Sequence, residues 1–227
     1  MDARTPATRA RHAKAGLASR QRLEPTTHAM LLRQLYLALY ENRRFEEAHK
    51  IALQAITCDV LSDVLHQDAA RAALASGDAS EAIAHLRTAA RRSPASRRPF
   101  HLWTLGATLF LMQRYSEAIS ALERATRWGT HDKPLYRAHL ALARLAAGAV
   151  VPDLQLTIDS LAHAACGKGY GRFVLGHLAY AAREWDAARK YLEAFVKKAE
   201  TSRATMTIAL EPELRMAKAT LAKMLDN

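Results

Sequence analysis

A glutamate followed directly by an alanine recurs about every 34 residues along much of this chain. The pairs Glu47–Ala48, Glu81–Ala82 and Glu117–Ala118 place their alanines 34 and then 36 residues apart. A weaker version of the pattern, Trp185–Ala188, follows two periods later. A constant period of this length indicates an array of similar units, each of which buries its apolar side against its neighbours. The sequence therefore predicts a stacked array, and such arrays present surfaces for binding other molecules.

The clearest unit, residues 99–132, has the pattern of two amphipathic helices. Its large apolar residues recur at helical spacing, and small residues stand where two helices must approach closely. These residues are Leu102, Leu105, Gly106 and Leu109 in the first helix and Tyr115, Ala118, Leu122 and Ala125 in the second. The unit resembles the tetratricopeptide repeat family, whose repeat is a helix–turn–helix of about 34 residues. This resemblance implies that the first helices of successive repeats line one concave surface.

The same register defines about five repeats. They are predicted over residues 29–62, 63–96, 99–132, 134–168 and 169–202. Tyr36 occupies a position of the first repeat where a small residue is expected, and Val150–Pro152 interrupts the fourth repeat. An apolar stripe predicts one last helix over residues 211–225. We therefore predict an all-α fold, a right-handed α-solenoid of about five helix–turn–helix repeats over residues 25–227, with a C-terminal capping helix.

The first 24 residues are predicted to be a basic, disordered N-terminal tail. They contain six basic and two acidic residues and few large apolar side chains. They lack the apolar core of a secretory signal, and no apolar run is long enough for a membrane helix. The two cysteines, Cys58 and Cys166, do not form a disulfide framework. From these features we expect a cytoplasmic location.

Signals for catalysis or cofactor binding are weak. The glycine-rich segment Gly167–Gly171 lacks the spacing of a phosphate-binding loop and predicts a flexible turn between repeats. His163 and Cys166 have the spacing of two metal ligands on one helix, but without two further ligands such a pair is more typical of packing. The sequence contains no HExxH motif and no recognisable set of nucleophile and base. We expect no enzymatic activity, no cofactor and no metal.

The resemblance implies a groove rich in aromatic side chains, which are effective anchors for a partner. The family register assigns to it Arg33, Tyr40, Arg71, Phe100, Trp103, Phe110, His139, Tyr170, Phe173, His177 and Tyr180. Some family members clamp acidic C-terminal tails with lysine and asparagine. This chain has Arg33, Leu37, Asp68, Phe100 and Thr104 at those positions, so that role is not expected. We expect the groove to bind a peptide or an amphipathic helix.

Positive charge suggests a second surface, since the net charge is +11. A basic patch is predicted at Arg87, Arg91, Arg92, Arg97 and Arg98. Such patches attract acidic proteins, nucleic acids or anionic membranes, but no nucleic-acid-binding motif accompanies this one. We favour a protein-binding scaffold, whose partner has acidic character if it contacts the patch. The alternatives are a chaperone for a secreted or assembling protein, as among bacterial secretion chaperones of this repeat class, and, more distantly, a nucleic-acid adaptor. The sequence leaves the oligomeric state open.

Overall fold

The computed structural model describes residues 5–19 and 22–225, and every regular element within these ranges is helical. The all-α class predicted from the sequence is therefore confirmed. The helices are α1 Pro6–Leu17, α2 Pro25–Glu41, α3 Phe45–Ile56, α4 Ser62–Ala75, α5 Ala79–Arg92, α6 Arg98–Leu111, α7 Tyr115–Trp128, α8 Lys133–Ala146, α9 Leu154–His163, α10 Gly171–Ala181, α11 Trp185–Glu200, α12 Ala204–Ala209 and α13 Glu211–Lys223. A short 3-10 helix, Ala165–Gly167, lies between α9 and α10.

The helices group into two compact units that divide between Arg97 and Arg98. The first unit contains α1 and the hairpins α2/α3 and α4/α5. The second contains the hairpins α6/α7, α8/α9 and α10/α11, followed by α12 and α13. These five hairpins correspond to the five repeats that the sequence predicted. Among the described residues, no helix combines the length and the apolar character that crossing a bilayer would require.

Small residues let the two helices of a hairpin approach closely. A Cβ atom placed on Gly106 would lie 2.6 Å from Cγ of Leu122 and 3.3 Å from the carbonyl oxygen of Ala118. A Cβ atom on Gly176 would lie 2.5 Å from Cγ of Leu192, so the last hairpin repeats this arrangement. The distances to the two leucine Cγ atoms, 2.6 and 2.5 Å, are shorter than van der Waals contact allows. Gly106 and Ala118 therefore mark the close contact that the sequence pattern predicted.

The prediction of a disordered N-terminal tail is wrong for the described part of residues 1–24, because α1 is a helix packed against α2. The side chain of Thr5 accepts a hydrogen bond from the backbone N–H of Thr8, which caps the helix. Ala13 is buried, and Arg9 forms an ion pair with Glu41. Leu17 packs against the core cluster of the first hairpin. Residues 1–4 and 20–21 of the predicted tail lie outside the described residues.

This helix needs few apolar residues because its contact with α2 is close. A Cβ atom on Gly16 would lie 2.9 Å from Cδ1 of Leu31, so the absence of a side chain at Gly16 permits the approach. Disorder was predicted because this segment has few large apolar residues. At the contact between α1 and α2, small residues bury backbone atoms and methyl groups instead.

The irregular fourth repeat differs from the others as its sequence suggested. Its second helix, α9, has only ten residues and begins after Asp153, whose φ is 54°. The glycine-rich segment that follows is a turn between repeats, as predicted, but it is tightly packed. Cβ atoms on Gly167 and Gly171 would lie 2.1 and 2.2 Å from backbone carbonyl oxygens, so neither position has room for a side chain.

Tyr36 occupies a position of the first repeat where a small residue was expected, and its side chain is buried in the interior. Only 1% of its surface is exposed, and its ring centroid lies 5.7 Å from that of Tyr40. At the other end of the chain, the predicted terminal helix is present as α13, which packs against α10 and α11. The short helix α12 before it was not predicted.

Candidate partner-binding site

The aromatic groove predicted from the sequence is mostly closed in the second unit. Its buried members have between 0% and 5% of their surface exposed, and they are Phe110, His139, Phe173 and His177. Trp103, Tyr170 and Tyr180 are half-buried. A buried side chain cannot contact a partner without rearrangement of the fold. The prediction of an open aromatic groove is therefore wrong for the four buried residues.

The terminal helix explains part of this burial. The hydroxyl of Tyr170 donates a hydrogen bond to Oε1 of Glu213 on α13 at 3.2 Å. Oγ1 of Thr220, also on α13, lies 3.3 Å from Nε2 of His177. The register of the first helices assigned these side chains to one surface. It could not show that α13 contacts the last of them.

The buried residues form an aromatic cluster around Trp103. Nε1 of Trp103 donates a hydrogen bond to Nδ1 of His139 at 3.2 Å, and its ring centroid lies 4.9 Å from that of Tyr170. Burial lowers the pKa of His139 to about 3 and the pKa of His177 to about 4, so both imidazoles are neutral near pH 7. Burial raises the pKa of Glu213 to about 7. These residues build the interior of the unit.

Two pairs of aromatic side chains in the second unit are partly exposed to solvent. Phe100 is 40% exposed and lies 5.8 Å from Trp103, measured between ring centroids. Tyr180 lies 5.3 Å from Trp185, which is 49% exposed. Of the predicted groove residues in this unit, Phe100 is the most exposed.

The first unit presents a charged arrangement instead of an aromatic one. Nε of Arg33 on α2 donates a hydrogen bond to Oδ2 of Asp68 on α4 at 2.6 Å. Nη1 of Arg71 lies 3.4 Å from Oδ1 of the same carboxylate. The side chain of Asp68 is 3% exposed, whereas those of Arg33 and Arg71 are 27% and 41% exposed. We call Arg33 and Arg71 the arginine pair. Tyr40, the third groove residue predicted in this unit, is buried.

The arginine pair is oriented by a carboxylate that the sequence analysis did not use in this way. One Asp68 contacts two arginines, so the cluster has one positive charge in excess. The local signal was the spacing of Asp68 and Arg71, which puts them on one side of a helix. Arg33 lies 35 residues before Asp68, one repeat period away. The buried carboxylate of Asp68 contacts the guanidinium group of Arg33 closely, at 2.6 Å, and that of Arg71 more loosely, at 3.4 Å.

The predicted basic patch is partly neutralised within the first unit. Arg97 donates two hydrogen bonds to the buried carboxylate of Asp63, at 2.8 and 2.9 Å, which raises the pKa of Arg97. Nη1 of Arg92 lies 3.3 Å from Oδ1 of Asp59. Arg87 and Arg91 are exposed, and Arg98 is half-buried at the start of the second unit. The five arginines are therefore not five freely available charges.

The two residues with metal-ligand spacing, His163 and Cys166, lie at the end of α9 and in the 3-10 helix that follows it. Nδ1 of His163 lies 2.8 Å from the backbone carbonyl oxygen of Asp159, one helical turn earlier. The side chain of Cys166 is a free thiol of intermediate exposure. His163 and Cys166 do not belong to the group of three metal-type ligands that converge within the described residues.

Comparison with known proteins relates this geometry to a family. The family model of the tetratricopeptide repeat matches residues 73–145. One chain in the crystal structure of the APC/C hetero-tetramer Cut9–Hcn1 is similar over 97% of this chain, with a TM-score of 0.61 and 17% sequence identity. This chain spans about half, 48%, of the length of that one. No curated protein matches the sequence significantly. The structural similarity supports the α-solenoid fold predicted from the repeats.

Proposed function

We propose that this chain, whose residues 73–145 match the tetratricopeptide repeat model, is a non-enzymatic scaffold that binds an acidic segment of a partner protein at the arginine pair. Folds of this type generally mediate contacts between proteins. The observation that carries this proposal is the shared contact of Arg33 and Arg71 with the buried carboxylate of Asp68. The similar solved structure is itself part of a protein assembly, the Cut9–Hcn1 hetero-tetramer, which is consistent with a scaffold.

The arrangement suits recognition of a carboxylate for two physical reasons. Arginine has more N–H donors than Asp68 uses, and the partly exposed guanidinium groups can donate the remainder to an aspartate or glutamate of a partner. Because Asp68 already holds Arg33 at 2.6 Å and contacts Arg71 at 3.4 Å, binding costs less conformational entropy than it would with two arginines that had no partner. The chain's net charge of +11 adds a long-range attraction to an acidic partner.

The chaperone alternative has less support from the described residues. Binding an apolar cargo segment requires accessible apolar anchors along the first helices. Phe110 and Phe173, which the sequence analysis assigned to that role, have 3% and 0% of their surface exposed. Phe100 remains available as an additional contact in the second unit, but a single exposed ring does not form a groove.

The test is affinity capture from the native host with a variant that neutralises the cluster without leaving a buried charge unpaired. Arg33→Gln, Asp68→Asn and Arg71→Gln together lower the net charge by one and retain hydrogen-bonding groups at all three positions. The matched control is Arg189→Gln, which makes the same change in net charge at an exposed position of α11.

We expect the unchanged chain and the control to capture proteins that the triple variant does not. Mass spectrometry should identify these proteins. Circular dichroism of the triple variant should remain helical. The proposal is contradicted if the folded triple variant captures the same partners in the same yield.

A further inference from the structure

Three side chains with metal-ligating atoms converge in the first unit, outside the arginine pair. They are His49 on α3 and Glu81 and His85 on α5. Oε1 of Glu81 lies 3.3 Å from Nε2 of His49 and 3.6 Å from Nε2 of His85. The ligand atoms of all three residues lie within 4.8 Å of one another. Helical spacing places Glu81 and His85 on the same side of α5, and α3 supplies the third group.

These separations are those of ligands around a tetrahedral metal ion. Bonds of about 2.0–2.1 Å from zinc to nitrogen or oxygen, at tetrahedral angles, put neighbouring ligand atoms about 3.3–3.5 Å apart. The two distances from Glu81 fall at or close to this range. A small inward movement of the two imidazole rings would bring their nitrogens to the same spacing.

A hydrogen bond between His49 and Glu81 explains the position of His49 less well than a shared metal ion does. Its Nε2 atom is shielded from solvent and has no hydrogen-bond partner of acceptable geometry within the described structure, although Glu81 is close. A buried polar atom without a partner costs free energy. A bound cation would satisfy the lone pair of Nε2 and attract the carboxylate at the same time.

A third histidine is placed to orient one of the ligands. Nδ1 of His66 on α4 lies 2.9 Å from Nδ1 of His85. If Nδ1–H of His85 donates to His66, the lone pair of His85 is on Nε2, the atom that faces Glu81. Metal-binding histidines commonly use their second nitrogen in this way, which fixes the tautomer and the ring orientation.

Burial disfavours the protonated form of His66 and of His85. Burial, together with the nearby His85, Arg92 and Arg91, lowers the pKa of His66 to about 4. Burial also lowers the pKa of His85, while Glu81 partly opposes the shift.

We propose that His49, Glu81 and His85 form a binding site for a divalent transition-metal ion of the Zn²⁺ type, with His66 as a positioning residue. Two imidazoles and one carboxylate suit Zn²⁺, Co²⁺ or Ni²⁺ better than Mg²⁺ or Ca²⁺, which prefer oxygen ligands. Water completes the coordination, since the side chains of His49, Glu81 and His85 are 15%, 37% and 14% exposed. The ion would join α3 of the first hairpin to α5 of the second and so stabilise the first unit.

The experiment uses the untagged full-length chain, stripped with a chelator and titrated with Zn²⁺ and separately with Co²⁺. We expect one tightly bound ion per chain, a rise in melting temperature with Zn²⁺, and the intense visible absorption of four-coordinate Co²⁺. His49→Gln with His85→Gln should abolish all three effects. His66→Leu should keep the stoichiometry but weaken affinity by about 10–100-fold.

His163→Gln is the matched control, because it removes a histidine from the second unit and should leave binding unchanged. The double variant should melt like the chelated parent, which shows that it folds. The proposal is overturned if the unchanged chain gives no four-coordinate Co²⁺ spectrum. It is equally overturned if the double variant binds Zn²⁺ with the parent's affinity, or if His163→Gln alone removes the site.

Discussion

The hydroxyl of Tyr170 donates a hydrogen bond to Oε1 of Glu213, 3.2 Å away, and so connects the residue before α10 with the terminal helix α13. The other carboxylate oxygen of Glu213 is buried and has no hydrogen-bond partner in the described part of the chain. Burial raises the pKa of this carboxyl from 4.5 to about 7. The folded protein therefore holds a proton on Glu213 more tightly than the unfolded chain does.

Glu213→Gln should stabilise the protein in a pH-dependent way. Because the folded pKa is the higher one, the contribution of Glu213 to the free energy of unfolding is lost as pH rises from 4.5 through 7. The glutamine variant avoids this loss and should exceed the parent by about 3 kcal/mol or less at pH 8, and by almost nothing at pH 4. Urea unfolding at pH 4, 6 and 8 measures the difference. Glu193→Gln, at an exposed position of α11, is the control. A gain that is the same at every pH would contradict the buried-carboxyl account.

Gly106→Ala should destabilise the second unit, because the new Cβ atom would lie 2.6 Å from Cγ of Leu122. Overpacking of this kind costs about 1–3 kcal/mol. In a background with Leu122→Ala the obstructing atoms are gone, so the same change at Gly106 should cost much less. Chemical denaturation of the four proteins in this cycle gives the coupling. Equal costs in both backgrounds would show that Gly106 is not at a close helix contact.

Deletion of residues 1–18 should lower the melting temperature by several degrees, because α1 covers part of α2 and buries Ala13. Arg9→Ala should have a smaller effect, since it removes only the ion pair with Glu41. Differential scanning calorimetry distinguishes the two. If the deletion melts at the temperature of the full chain, α1 contributes nothing to the first unit.

The sequence was sufficient to predict the repeats because close helix packing restricts residue size locally. Gly106 and Ala118 could be recognised without any knowledge of the rest of the fold. Burial of Phe173 and His177 could not be recognised in this way, because it depends on the complete packing around α10, including the contact with α13. The helical state of residues 6–17 was missed because its packing uses an alanine and a glycine instead of large apolar residues.

The polar contacts follow a rule that the sequence contained but that composition and local motifs do not reveal. Several of them join residues about one repeat period apart. Arg33 and Asp68 are separated by 35 residues, Asp63 and Arg97 by 34, and Trp103 and His139 by 36. His49 and Glu81 nearly obey the same rule. Searching a repeat sequence for complementary residues about one period apart would have found Asp68 as the partner of Arg33, and Glu81 as the partner of His49.

The central claim is that the arginine pair binds an acidic segment of a partner, and the affinity for a captured partner tests it most directly. Dissociation constants should be measured at low and high salt for the unchanged chain, for the triple variant Arg33→Gln, Asp68→Asn, Arg71→Gln, and for the control Arg189→Gln. We predict that the triple variant weakens binding at least about tenfold at low salt and shows a flatter salt dependence, because charge-assisted hydrogen bonds are lost. The control should match the parent. An unchanged dissociation constant in a correctly folded triple variant would contradict the account.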